Sequence, residues 1–172
     1  MSSLIDRELH AWASSGGVTP FDPGLINPAS INLRVGNRAV VETRHGMEEI
    51  SLTRYCEAVP LWVEPGGWIL TDTIELIEIP SDMEALVVLR SSAARRGWDH
   101  AMAGFVDPAY RGRLTLEFVN CLRHSELPLY PGLELVQLRL AMLQREPSRG
   151  YDQTGRYHNA MGVEMCKDPR LL

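Results

Sequence analysis

Hydrophobic and polar positions change their spacing once along this chain. Ile5, Leu9 and Trp12 recur at helical intervals behind Ser3-x-x-Asp6, a capping-box spacing with Asp in place of Glu, and Gly16-Gly17 ends the run. The pattern predicts one helix over roughly residues 3–14, against the alternative of a frayed terminus. Beyond it the helical period is lost. Short β-rich runs follow at 30–37, 39–43, 60–76, 84–90, 113–120 and 133–140, separated by Gly, Pro and Asn. Pro65-Gly66-Gly67 and Pro131-Gly132 read as turns between strands. Strands so spaced predict an all-β sandwich or barrel. Residues 143–172 turn polar and read as a C-terminal arm that covers something, or as a disordered tail. Residues 1–172 together read as a single domain, with 1–16 as its N-terminal helix.

Composition narrows the class of ligand. The chain is 45% apolar and 23% charged, as in soluble globular proteins, and its formal net charge is -5. An acidic chain without a basic run is poorly suited to a nucleic-acid polymer, whereas a small anion needs only a few local arginines. There is no run of 18 apolar residues, and the first residues carry charges where a signal peptide would be apolar, so no membrane partner is expected. Cys56, Cys121 and Cys166 are odd in number and far apart, which fits a reducing cytoplasm. Neither they nor the five histidines form a metal-ligand spacing, and the H-x-E…P-C-x-x-C signature of zinc deaminases is absent.

Three segments carry candidate chemistry. In Arg113–Asn120, alternation puts Leu114, Leu116 and Phe118 on one face and Thr115, Glu117 and Val119 on the other. Val119 suggests that the second face is not simply wet. A desolvated Glu117 would have a raised pKa suited to proton transfer; the plain alternative is a solvated strand glutamate. In Leu89–Gly97 a strand ends and a short helix starts at Ser91 or Ser92, with Arg90, Arg95 and Arg96 close by. This is either a phosphate site or a capped surface turn. Ala103–Gly112 reads as a β-hairpin loop in which Asp107 and Tyr110 either recognise a sugar or form an Asx-type turn with a packing tyrosine.

Taken together, R-S-S-x-x-R-x-G, A-G-x-[VI]-D-P-x-Y-x-G and T-L-E-F-x-N over residues 90–120 resemble the dCTP deaminase/dUTPase superfamily. Asn27–Gly36 looks like the family segment PASIDLRLG with Asn32 replacing the usual Asp. Pro131-Gly132 opens the strand that carries Gln137, and Tyr151…Gly155-Arg156-Tyr157 resembles the deaminase C-terminal arm. The deaminases carry a glutamate at the place of Glu117, where dUTPases usually have an aliphatic residue.

The resemblance implies a distorted β-barrel or jelly roll of dUTPase-like type, closed at its site by the arm 143–172. It implies zinc-independent hydrolytic deamination of dCTP to dUTP and ammonia in pyrimidine deoxynucleotide metabolism. Glu117 would be the acid/base, Ser91 and the backbone around Ala103 would position water, and Arg95 would order Glu117. Asp107 would bind the 3′-hydroxyl and Tyr110 would pack under the sugar. Arg90, Ser91, Ser92, Gln137 and Arg156 would hold the triphosphate with the Mg²⁺ it carries, and Tyr151 and Tyr157 would belong to the closing arm. A cytoplasmic homotrimer with shared sites is implied, with dUTP as a second nucleotide and dTTP as a candidate inhibitor. Ala103-Gly104 and Gln137 also resemble dUTPases and bifunctional deaminase–dUTPases, so formation of dUMP is the alternative. A dUTPase or dCTP pyrophosphatase, and a non-catalytic nucleotide-binding regulator on the same fold, are further readings.

Overall fold

The computed structural model describes residues 2–100 and 103–171. In chain order the strands are β1 (Ser2–Ser3), β2 (Val18–Thr19), β3 (Ile26–Asn27), β4 (Ser30–Thr43), β5 (Gly46–Ser51), β6 (Leu61–Val63), β7 (Trp68–Glu78), β8 (Met83–Leu89), β9 (Trp98–His100), β10 (Phe105–Val106), β11 (Arg111–Asn120), β12 (Leu127–Leu129) and β13 (Glu134–Met142). Short α-helices accompany them among the described residues: α1 (Asp6–Trp12), α2 (Ser91–Arg96) and α3 (Tyr151–Thr154). The main sheet follows the path β10-β8-β13-β4-β7-β11-β9 and curls into a half barrel. Strands β1, β2, β3 and β5 attach to its members, and β12 pairs with β6 apart from it. The mainly β architecture follows from the alternating runs, whose apolar positions meet inside the curl. Ile31, Leu33, Ile69, Ile77, Leu116, Phe118 and Leu138 are all buried there.

The two runs at 30–37 and 39–43 are one strand. Between Val35 and Ala39 the register against β7 shifts, because four steps along β4 oppose two along β7, from Thr73 to Thr71. Gly36 lies in this bulge. A Cβ there would fall 2.2 Å from Oδ1 of the buried Asp72. That carboxylate accepts hydrogen bonds from the Arg38 amide and from Nη1 of Arg113, each at 3.2 Å.

The N-terminal helix differs from its prediction in where it starts. Ser2 and Ser3 pair with Met142 and Ala141 of β13, so edge pairing takes the backbone that a cap at Ser3 would use. The helix begins at Asp6, and the Glu8 carboxylate accepts the Ile5 N–H at 2.9 Å. It continues into one wider turn over Ala13–Gly17. Leu9 and Trp12 are buried, and the Trp12 indole donates to the Glu78 carbonyl at 3.1 Å.

Residues 103–112 are not a hairpin loop. β10 pairs with β8 at one end of the path, while β11 pairs with β7 and β9 near the other. The segment crosses between the two ends of the curled sheet, because each flanking strand finds a longer partner elsewhere. No described helix is long and apolar enough to cross a membrane.

Candidate active site

Alternation along β11 builds the floor of the site. Leu114, Leu116 and Phe118 point into the core, while Arg113, Thr115, Glu117 and Val119 are half-buried on the opposite face. Above that face lies a cavity of about 560 Å³. Its wall takes Arg113, Thr115 and Glu117 from β11, Val87 and Phe105 from the far end of the path, and Tyr151, Tyr157, Glu164 and Cys166 from the C-terminal segment. Of the residues predicted for the site, Ala103, Asp107, Tyr110, Glu117, Tyr151 and Tyr157 line this cavity.

Glu117 is the chemically poised group. Burial pushes its carboxyl above the ordinary carboxylate range, partly offset by its own backbone N–H. Its Oε2 lies 3.5 Å from Nε2 of His100, whose side chain is only 5% exposed. Burial pulls His100 below the usual imidazole range against the opposing charge of Asp99, so the ring favours its neutral form. Neither Oε2 of Glu117 nor Nε2 of His100 has a hydrogen-bond partner among the described residues. His100 pairs directly across from Phe118 on the last turn-in of the sheet, and the two rings lie 5.6 Å apart. Arg95 is the residue expected to order Glu117. Within one chain the adjoining group is His100, and Arg95 is exposed on α2.

A tight turn sets Asp107 and Tyr110. The Tyr110 amide donates to the Asp107 carbonyl at 3.2 Å, Pro108 follows Asp107, and Ala109 takes φ 64. This is the geometry of a type II turn, in which a non-glycine residue at the third position is strained. Tyr110 is buried, and its hydroxyl donates to the Arg113 carbonyl at 2.7 Å. Burial first, then electrostatic repulsion from Tyr151 and Glu164, holds its phenol far above the usual range. Its ring therefore acts as an apolar wall with a fixed polar tip.

The C-terminal segment lies along the same strand. The Arg113 amide donates to the Ala160 carbonyl at 2.8 Å, and the Asn159 amide donates to the Arg111 carbonyl at 2.6 Å. The Glu164 amide donates to Oγ1 of Thr115 at 2.9 Å, two residues from Glu117. Tyr151 packs its ring 5.5 Å from Tyr110, and its amide donates to the Pro108 carbonyl at 2.9 Å. The amide of Lys167 donates to the Tyr157 hydroxyl at 3.1 Å.

The remaining predicted residues gather elsewhere or stand alone. Arg90, Ser91, Ser92, Arg95, Gln137 and Arg156 do not line the cavity. Arg90 stands at the N-cap position of α2, where its side chain makes no capping bond, and donates Nη1 to Oε2 of Glu134 at 2.8 Å and to its carbonyl at 3.1 Å. Gln137 on β13 accepts a hydrogen bond from Ser30 Oγ at 2.9 Å. Ser91 and Ser92 are exposed in the first turn of α2. Arg156 reaches Oδ2 of Asp168 at 3.1 Å, and that carboxyl is held down to about 2, first by its hydrogen bonds from Arg170. Sequence reasoning missed His100 beside Glu117, Arg113 and Glu164 in the cavity wall, and Glu134 beside Arg90 outside it. Among the described residues no three His, Cys, Asp or Glu side chains gather as a metal-ligand set.

The curled β sheet that carries this wall is a fold that solved structures share. The chain is similar to the 2′-deoxycytidine 5′-triphosphate deaminase of Agrobacterium tumefaciens, with TM-score 0.67 and 22% identity over 82% of this chain. It spans about half of that protein, 49% of its length. It is also similar to the native EIAV dUTPase, with TM-score 0.50 and 16% identity over 81% of this chain and 93% of that one. These likenesses establish a dUTPase-like fold.

Sequence comparison then gives the family. The model described as dCTP deaminase-like matches residues 3–143, and the chain belongs to that family. Curated relatives include a "dCTP deaminase, dUMP-forming" of Leifsonia xyli subsp. xyli, 31% identical across 92% of this chain and 87% of that one. Another, of Thermobifida fusca and with the same name, is 35% identical across 86% and 82%.

Proposed function

We propose that this protein is a dCTP deaminase that carries its substrate through to dUMP. The observation that carries the reading is Glu117, a desolvated carboxyl on the wall of a cavity that also presents Asp107 and Tyr110. The names of relatives at 31% and 35% identity favour dUMP over dUTP as the end product. Of the expectations drawn from sequence, this selects the bifunctional one.

In the first step water adds to C4 of cytosine and ammonia leaves. Glu117 takes one proton from the attacking water and delivers it to N3, then takes the second from the new C4 hydroxyl and delivers it to the departing amino group as the C4 carbonyl forms, so one carboxyl serves in turn as base and acid. A positioned acid/base of this kind is worth about 10²–10⁴-fold. The raised pKa suits it, because a carboxyl poised nearer neutrality both accepts and releases a proton readily. The carbonyl and amide around Ala103, and Ser91, hold the attacking water. In the second step a water attacks the α-phosphate of the bound dUTP and pyrophosphate leaves. Asp107 binds the deoxyribose 3′-hydroxyl and orients that water, while the buried Tyr110 ring closes the space a 2′-hydroxyl would need.

Arg90, Ser91, Ser92, Gln137 and Arg156 hold the triphosphate, which arrives as its Mg²⁺ salt; a metal on the substrate needs no protein cage of its own. On one chain the base-and-sugar residues line the cavity, while the phosphate residues of α2 and β13 lie outside it. That division supports a homotrimer in which a neighbouring copy supplies the second group. Tyr151 and Tyr157 hold the arm over the bound nucleotide.

Incubation with Mg²⁺ and either dCTP or dUTP, read by nucleotide chromatography and ammonia assay, tests the reading. It predicts ammonia, pyrophosphate and dUMP from dCTP. Formation of dCMP without ammonia would show a pyrophosphatase instead.

A further inference from the structure

Arg90 and Gln137 are assigned above to the triphosphate, yet neither is loose. Both are tied into a polar strip between β4, β13 and the start of α2. The Asn27 amide donates to Oδ1 of Asn32 at 2.8 Å. Nδ2 of Asn32 donates to Oε2 of Glu134 at 2.7 Å, and the same Oε2 accepts from Nη1 of Arg90 at 2.8 Å. Asn32 is buried, whereas Arg90 and Glu134 are each about one third exposed, at 32% and 34%. The amide of Asn32 is therefore the inner anchor, and the arginine is the outer, solvent-facing end.

A defect in the sheet makes the strip. Glu134 and Gln137 are three residues apart, a spacing that puts side chains on opposite faces of a regular strand. Here Glu134 reaches Asn32 and Gln137 reaches Ser30, which share one face of β4. The register shift between Glu134 and Val136 accounts for it, since one extra residue turns Glu134 to the side of Gln137. Arg34, the register partner of Glu134, is not available to it. That arginine donates to Glu75 at 2.6 Å and lies 3.6 Å from Asp22. Among the described residues Arg90 is the cation that Glu134 contacts.

We infer that Asn32 and Glu134 form a matched pair that positions Arg90 for the triphosphate, with the side-chain polarity at 32 and 134 fixed as amide against carboxylate. The inference rests on the assignment of Arg90 to phosphate. One Nη1 of Arg90 is held by Glu134, which leaves Nε and Nη2 unpartnered among the described residues and available for a planar, two-pronged contact with phosphate oxygens. An unanchored arginine would have to be ordered by the nucleotide itself, at a cost in affinity. A second carboxylate at position 32 would face Glu134 across a hydrogen-bond distance and compete with it for the same cation. Asn32 and Glu134 act through Arg90 and are positioning residues.

The test is a polarity swap in the full-length protein, read by steady-state ammonia release and by calorimetric binding of Mg²⁺-dCTP. At about pH 8, where a carboxyl pair cannot readily share a proton, Asn32→Asp is expected to raise KM and Kd by about tenfold while kcat stays within about threefold. Asn32→Asp combined with Glu134→Gln restores an amide facing a carboxylate, and is expected to return KM to within about threefold of the parent. A structural role alone would move thermal stability without this split between KM and kcat, and without rescue. If Asn32→Asp does not fold, Glu134→Ala, which frees Arg90, is expected to raise KM by a similar factor. An unmoved KM in whichever single variant folds, or a double variant no better than Asn32→Asp, overturns the inference. Arg90→Gln separates this from the reading beneath it. Affinity that survives Arg90→Gln removes Arg90 from the phosphate site. Affinity lost in Arg90→Gln but untouched in Asn32→Asp and Glu134→Ala overturns only the pairing.

Discussion

Nε2 of His100 lies 3.5 Å from Oε2 of Glu117, with both atoms shielded from water and without another partner among the described residues. Burial acts on them in opposite senses. It disfavours the imidazolium and it disfavours the carboxylate, so each group is moved toward its neutral form. A partner that stays neutral does not pull the glutamate pKa back down, as an arginine at the same distance would. Asp99, the other charge beside His100, raises the imidazole without reversing the effect of burial. Glu117 is thereby left as a carboxyl whose pKa stays above the ordinary carboxylate range.

The first prediction concerns that proton. The general base must be ionised, and the Glu117 pKa is raised, so the acid limb of the kcat/KM profile for ammonia release should lie above the ordinary carboxylate range. His100→Phe keeps the burial and removes the ring nitrogens. It should keep the limb high and lower kcat by about tenfold through loss of orientation. A limb in the normal carboxylate range in the parent protein would contradict the assignment.

Stability should respond to the same residue with a definite sign. A carboxyl whose folded pKa is raised favours the fold below its unfolded pKa, and that contribution is lost as pH rises through the folded value. Glu117→Gln removes the loss. Its melting temperature should match the parent in acid and exceed it at about pH 8. Calorimetric melts across this range check it, and a gap that opens in acid instead would reverse the sign claimed here. His100 works the other way, since its lowered pKa withdraws stability as pH falls through the folded value.

Docking of the C-terminal segment depends on Gly112. The residue takes φ +151, and a Cβ would fall 2.9 Å from both the Ala160 carbonyl oxygen and the Tyr110 hydroxyl. Gly112→Ala should therefore cost about 1–3 kcal/mol and loosen the arm from β11. Limited proteolysis within residues 143–171 should quicken, and KM for dCTP should rise more than kcat falls. Unchanged proteolysis would show that the arm is held by other contacts.

Asp107 separates the two bond-breaking steps. In Asp107→Ala the orientation of the second water is lost, so pyrophosphate release from dUTP should fall by about 10²-fold or more. Ammonia release at saturating dCTP should persist, with dUTP accumulating. Parallel assay of ammonia and pyrophosphate at saturating nucleotide decides it, and pyrophosphate release that persists at saturation would mean that Asp107 serves only binding.

Much of the site was legible because its chemistry is local in sequence. Period-2 alternation over Arg113–Asn120 assigns faces without any knowledge of partners, and it placed Glu117 on the half-buried side. The turn at Asp107–Tyr110 and the start of α2 at Ser91 carry their own punctuation. What was missed depends on distant pairing. His100 meets Glu117 only because β9 adds to the edge of β11, and Trp98–His100 is too short to show a period. Glu134 meets Asn32 through a bulge that no residue type announces. The hairpin expected at 103–112 failed because turn residues mark a change of direction, not the strand that follows the turn. β5 was overlooked for a simpler reason: Gly46–Ser51 is a largely exposed strand paired to β4 alone, so its sequence lacks the apolar alternation of a buried face.

The central claim is that Glu117 moves the protons of a deamination. Ammonia release from Mg²⁺-dCTP, measured side by side for the parent protein and Glu117→Gln with dCTP affinity determined for both, tests it most directly. The account predicts ammonia and dUMP from the parent, a loss of about 10²–10⁴-fold in ammonia release for Glu117→Gln, and nucleotide affinity within about threefold between them. Undiminished ammonia production by the variant would contradict it.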